Sequence, residues 1–302
     1  MLANVSSSSN ETFLHSHDSS AMSKLPLDLL CFISGPSSYM VSAYFLTSIL
    51  LLLPLSIFIL RHGVQQWKLK RSTSLAATMS HTDCLTYHMV TLELTGVFGF
   101  CISSIGMYGK MYHVFLVGLY FFSFTWFGEV CFHVLTCMER YLAVVHPVTY
   151  QNLKSDKGIR TRNRITVGVW LWCFVGISVM MEKFYNVLNF VYLLLALTVV
   201  SFCSMSVLCV LIRPGPCDQG RGIKRIGQSK LRAFYTIISI LGVLVPRFVW
   251  CLAWAIQFMA KENLNCLLMT ADLWFNIPCS LVLPLLYLHR TGNLMSFKKG
   301  SQ

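Results

Sequence analysis

The sequence predicts an all-α membrane protein, a seven-transmembrane helix bundle with its N-terminus outside and a short amphipathic C-terminal segment. Composition is the first ground. Of 302 residues, 55% are apolar and only 12% charged, and the mean hydropathy is +0.61, whereas a soluble domain carries about 25% charged residues. So little polar surface cannot coat a globule in water, which excludes soluble enzymes, collagen-like chains and disordered segments. The second ground is the division of the chain into seven mostly apolar runs, each near the roughly 20 residues that a hydrocarbon core requires. The third is the position of the basic residues between those runs, which sets the orientation.

Taken in order, run 39–60 holds no charge, and run 75–102 is the least apolar, with His81, Asp83, His88 and Glu93 inside it. Run 114–138 contains Glu129, and runs 165–181 and 184–212 are uncharged. Run 233–260 carries Pro246 and Arg247, and run 267–288 carries Asp272. The organisation is therefore an extracellular N-terminal segment 1–38, a membrane region 39–288 and a cytosolic tail 289–302. No period of 20 to 50 residues repeats, which argues against the internal duplication common in secondary transporters.

The segments 61–75, 140–164, 213–232 and 289–302 hold 19 of the 24 Lys and Arg residues. Basic residues concentrate on the cytosolic side, so the C-terminus is cytosolic and the N-terminus outside. The net charge of +12 thus reflects topology rather than nucleic-acid binding. Two sequons, at Asn4 and Asn10, lie in the segment placed outside and are the expected glycosylation sites. The first 30 residues lack a basic start followed by an apolar core, so the first span is read as the anchor. Most of the 12 cysteines fall inside apolar runs, where a thiol acts as a small hydrophobe, and no C-x-x-C pair occurs. Cys31 and Cys266 flank the first and seventh spans on the oxidising side and form the expected disulfide.

The third span ends Cys137-Met138-Glu139-Arg140-Tyr141-Leu142-Ala143-Val144-Val145-His146-Pro147. This resembles the rhodopsin-like (class A) G-protein-coupled receptors of the non-olfactory type, whose third helix ends in Asp/Glu-Arg-Tyr with a Pro seven residues beyond the Arg. Glu139 beside Arg140 can neutralise a guanidinium held between helices. The resemblance implies that Glu139, Arg140, Tyr141 and Pro147 serve coupling to a cytosolic heterotrimeric G protein. Leu283-Pro284-Leu285-Leu286-Tyr287 looks like the family's Asn-Pro-x-x-Tyr and adds Pro284 and Tyr287 to that set. Asp83 matches the family's intramembrane Asp, and Trp170 or Trp172 its fourth-helix Trp. The chain departs from the pattern at Pro54, where the family has Asn, at Leu244 in place of Trp, at Leu283 in place of Asn, and at Phe115 in place of the disulfide Cys.

An ionisable residue inside a span is a functional candidate by default. Counting 11 residues back from Arg140 at about 1.5 Å each places Glu129 about 16 Å from it, near mid-membrane. The resemblance brings Asp83 to the same depth, with Ser280 nearby, so the two carboxylates either share a proton or hold a sodium ion between them. Glu93, Arg247 and Asp272 lie nearer the outer mouth and, with Phe122, form the expected ligand pocket. Arg247 either anchors a carboxylate or phosphate of an anionic ligand or closes a salt bridge to Asp272 or Glu93. Phe122, where amine receptors place an Asp, argues against a biogenic amine. His133 shares a helix face with Glu129. No His-Glu-x-x-His, Gly-x-Ser-x-Gly or close carboxylate pair on one helix occurs. The expectation is a multi-pass plasma-membrane receptor that catalyses nothing, binds an extracellular ligand and engages no nucleic acid or metal cofactor. Its rivals are a receptor fold that no longer signals and a transporter or channel using Asp83, Glu129 and Arg247.

Overall fold

The computed structural model describes residues 35–72, 81–109, 111–153, 155–179, 185–212, 222–259 and 266–299, and no strand occurs among the described residues. The helices are α1 (Gly35–Ser72), α2 (His81–Tyr108), α3 (Tyr112–Val145), α4 (Pro147–Asn152), α5 (Asp156–Val179), α6 (Tyr185–Ile212), α7 (Gly222–Met259), α8 (Cys266–Ala271) and α9 (Asn276–Lys299), with a 3-10 turn at Asp272–Phe275. Among the described residues five stretches, Gly35–Lys68, Asp83–Tyr108, His113–Val145, Val187–Ile212 and Lys230–Ala253, are long and apolar enough to cross a membrane. The chain is an all-α, multi-pass membrane protein. Large apolar side chains such as Leu46, Leu50, Phe174, Leu195 and Phe202 stand on the outside of the bundle, a surface suited to lipid and not to water.

In hydrocarbon every backbone polar group must be satisfied within the segment, and side-chain hydroxyls face the same demand. They meet it by donating to the carbonyl one turn back, as Thr47 does to Ala43, Thr91 to Tyr87, Thr125 to Phe121 and Thr198 to Leu194. The end of α3 is set by Pro147. The residue before a proline is pushed out of the α region, and His146 has φ −126° and ψ 65°. Pro147 then opens α4, at a position where its missing N–H is harmless.

The two remaining predicted spans also fall on helices, in altered form. The charged stretch from Asp156 to Arg164 is built into α5 ahead of its apolar part. Run 267–288 is divided by the 3-10 turn into α8 and α9. Helix α9 runs on past residue 289, where the tail was expected to begin, as far as Lys299. Thr291 donates back to the Tyr287 carbonyl and Arg290 pairs with Asp83, so nothing breaks the helix where the apolar run ends.

Helix α3 occupies the centre, packing against α2, α5, α6, α7 and α9. Its closest neighbour is α2, and glycines make that approach. A Cβ on Gly118 would lie 2.5 Å from the Ser103 amide nitrogen and 2.7 Å from the Gly99 carbonyl oxygen, and one on Gly106 would lie 2.6 Å from the Phe115 Cα. Helix association in lipid relies on such close packing, because no water is there to be expelled. Phe115, the position at which the resemblance expects a disulfide Cys, is buried, its backbone pressed against Gly106. The main core joins Met89, Leu92, Phe132, Val200, Ile240 and Leu244, with Cys137, Cys173, Cys203 and Cys279 filling gaps as free thiols.

Candidate functional site

The centre of the bundle holds an ionic cluster built from five helices. Glu129 of α3 accepts from Arg247 of α7, Nη1 to Oε2 at 3.4 Å, and both side chains are only 2% exposed. Ser280 of α9 donates to the other oxygen, Oε1, at 2.9 Å. The Arg247 guanidinium also lies 4.7 Å from the ring centroid of Trp126, which stands on the Glu129 face one turn earlier in α3. Glu93 of α2, buried as deeply, sits within electrostatic reach of Glu129 and Arg247 and beside Ser280. Its Oε1 has no hydrogen-bond partner among the described residues. Tyr44 of α1 closes the cluster from the fourth side, and His133 is fully buried one turn from Glu129.

This arrangement corrects three expectations. Asp83 does not meet Glu129. It lies in the first turn of α2, where its carboxylate pairs with Arg290. Glu93 meets Glu129 instead, because α2 starts at His81: ten residues beyond Asp83 is about 15 Å, the depth at which Glu129 lies from Arg140. The sodium ion or shared proton expected between Asp83 and Glu129 loses its geometry, and the near cation at Glu129 is a guanidinium. Second, Glu93 and Arg247 are not residues of an outer pocket but lie in the core beside Glu129. Third, a partner that the sequence reading did not name takes Arg247: its guanidinium forms an internal salt bridge with Glu129. Asp272 opens the 3-10 turn. Phe122 is half-buried and packs in the apolar cluster of Phe100 and Tyr44, its ring 6.0 Å from that of Phe100. Among the described residues no group of three or more His, Cys, Asp or Glu side chains could hold a metal ion.

At the end of the bundle that carries Arg140 lies a cavity of about 590 Å³. Arg140 of α3, Arg232 of α7 and Arg290 of α9 line it, together with Thr86 of α2 and Tyr287. Arg140 Nε has no hydrogen-bond partner among the described residues. Glu139, beside it in sequence, accepts instead from the Tyr150 hydroxyl of α4 at 3.3 Å. Burial, with the Glu139 carboxylate adding to it, pushes the Tyr150 hydroxyl up to about 12, so it keeps the proton it donates. Tyr141 bonds His146 at 3.2 Å, and Pro147 fixes the turn into α4. Tyr287 ties three helices: its hydroxyl is 3.0 Å from that of Tyr87 in α2 and 2.8 Å from Nδ1 of His62 in α1. Pro284 and Leu283 are buried within α9 just above it.

Cys266 is disulfide-bonded, and its partner is not among the described residues. Cys31, Asn4 and Asn10 also lie outside the described residues. Sequence reasoning missed Arg232, Tyr87 and His62. None sits in a motif, and all three are brought to the cavity end only by helix packing.

No protein-family model and no curated protein matches the chain. Its function therefore rests on these two sites.

Proposed function

We propose that the chain is a rhodopsin-like seven-span receptor of the plasma membrane, which passes an extracellular ligand signal to a cytosolic heterotrimeric G protein by rearranging its helices. The observation that carries this reading is Glu139-Arg140-Tyr141 at the end of the central helix, with Arg140 lining a cavity walled by α2, α7 and α9. A cavity whose walls belong to different helices changes shape when those helices shift, which is what a partner bound there would sense. The ionic cluster lies about 16 Å along α3 from Arg140, so an event at Glu129 is linked to the cavity through one rigid helix. No bond chemistry is assigned to the chain.

Arg140→Ala should abolish G-protein nucleotide exchange in cells while surface expression is kept. A well-expressed variant that couples as the parent does would overturn the receptor reading. The buried apolar residues Leu244 and Leu283, standing where the resemblance expects Trp and Asn, favour a second reading in which the receptor fold no longer signals. Exchange activity absent from the parent across a ligand library, with normal surface expression, would select that reading.

A further inference from the structure

The cavity at the Arg140 end has a charge balance that coupling to a protein does not require. Arg140, Arg232 and Arg290 bring three guanidinium groups to its wall from three helices, and no Asp or Glu is among its described lining residues. Two carboxylates bear on it from outside the wall, Asp83, which pairs with Arg290, and Glu139, which accepts from Tyr150. Against three guanidiniums, the carboxylates of Asp83 and Glu139 leave a surplus of one positive charge, and neither acid is itself part of the wall. Like charges gathered in one concavity repel one another unless an anion joins them.

The donor set narrows the anion. A guanidinium presents a planar fork of N–H donors that matches a phosphate in two bonds at once. The hydroxyls of Thr136 and Tyr235 add neutral donors to the same cavity, where a phosphate dianion has several oxygens to satisfy. The volume of about 590 Å³ lies within the range of roughly 300 to 1,000 Å³ for small-molecule sites. Under the proposed orientation the cavity opens where anionic lipid headgroups concentrate.

We propose that this cavity binds a phosphate monoester group, presented by a phosphorylated lipid headgroup or by a soluble phosphorylated compound. Binding is a property of the cavity alone and is measured without a G protein, so its failure and the failure of the receptor reading are separate outcomes.

The test uses the full chain in phosphatidylcholine nanodiscs. One arm titrates soluble inositol trisphosphate. The other places phosphatidylinositol bisphosphate in the disc and follows its retention on the purified protein. Saturable binding in either arm, weakened at least tenfold by Arg232→Gln and by Arg140→Gln, is the expected result, and the arm that responds names the source. Arg232 is exposed, so its replacement leaves the packing intact. Lys230→Gln is the control, because a residue two positions away on a helix faces elsewhere, and it should leave binding unchanged. Lack of saturable binding in both arms would overturn the proposal. So would equal weakening by Lys230→Gln and Arg232→Gln, which signals diffuse attraction to basic residues, or displacement of the phosphate probe by an acidic peptide at equal concentration, which signals a peptide groove.

Discussion

Glu129 shows how a single residue comes to organise a bundle. A carboxylate in the hydrocarbon region is costly unless it is paired and hydrogen-bonded, and here one oxygen takes Arg247 and the other Ser280. Breaking a buried pair by removing one partner costs about 3 to 5 kcal/mol, because the other charge stays behind. Arg247→Met should therefore lower the thermal midpoint of the purified protein in detergent sharply, and Glu93→Gln should leave it unchanged or raise it, since it removes the second of two buried acids within reach of Arg247. An Arg247→Met variant as stable as the parent would show that the pair holds nothing together. The depth of Glu129 was legible from its distance to the Arg140 motif. The partner acid was not, because Leu75, Ala76 and Ala77 extend the apolar run of the second span toward its N-terminal side. Asp83 then appears central, although with α2 starting at His81 it stands in the end turn.

At the scale of elements, helices were legible because long apolar runs bounded by charge admit little else in a membrane. The end of α3 was equally plain at His146-Pro147. The α2–α3 approach was not, since the glycines that permit it acquire meaning only once the register is known. Gly99 and Gly106 of α2 meet Gly118 and Phe115 of α3, a pairing that no spacing within either helix announces. The contact makes a direct prediction. Gly118→Val places branched carbons against the Ser103 backbone and must push the two helices apart, so surface expression should fall several-fold and the thermal midpoint with it. Overpacking of this kind costs about 1 to 3 kcal/mol, and more where backbone has to move. Gly168→Ala in α5, where a Cβ meets nothing within 4 Å, is the matched control and should be neutral. Equal behaviour of the two variants would remove the glycine contact as the reason for the hairpin.

For the whole molecule, the proposed signalling direction depends on which end of α3 faces the cytosol, and charge is an argument on that question independent of the Glu139-Arg140-Tyr141 motif. The segments at the Arg140 end hold most of the basic residues, whereas segment 1–38 contains a single Lys at position 24. Cytosolic loops retain Lys and Arg during insertion, and the same residues face the anionic inner leaflet afterwards, each contributing about 1 kcal/mol of attraction near the surface. Reversing the chain would carry 19 basic residues across the membrane and leave Arg140, Arg232 and Arg290 facing outward, away from any G protein. An epitope tag placed before Asn4 should therefore be labelled by antibody on intact, unpermeabilised cells, and a tag after Gln302 only once the cells are permeabilised. The opposite pattern would invert the bundle. It would also move the cavity to the outer face and remove the basis for coupling through Arg140, whatever the ionic cluster at Glu129 does.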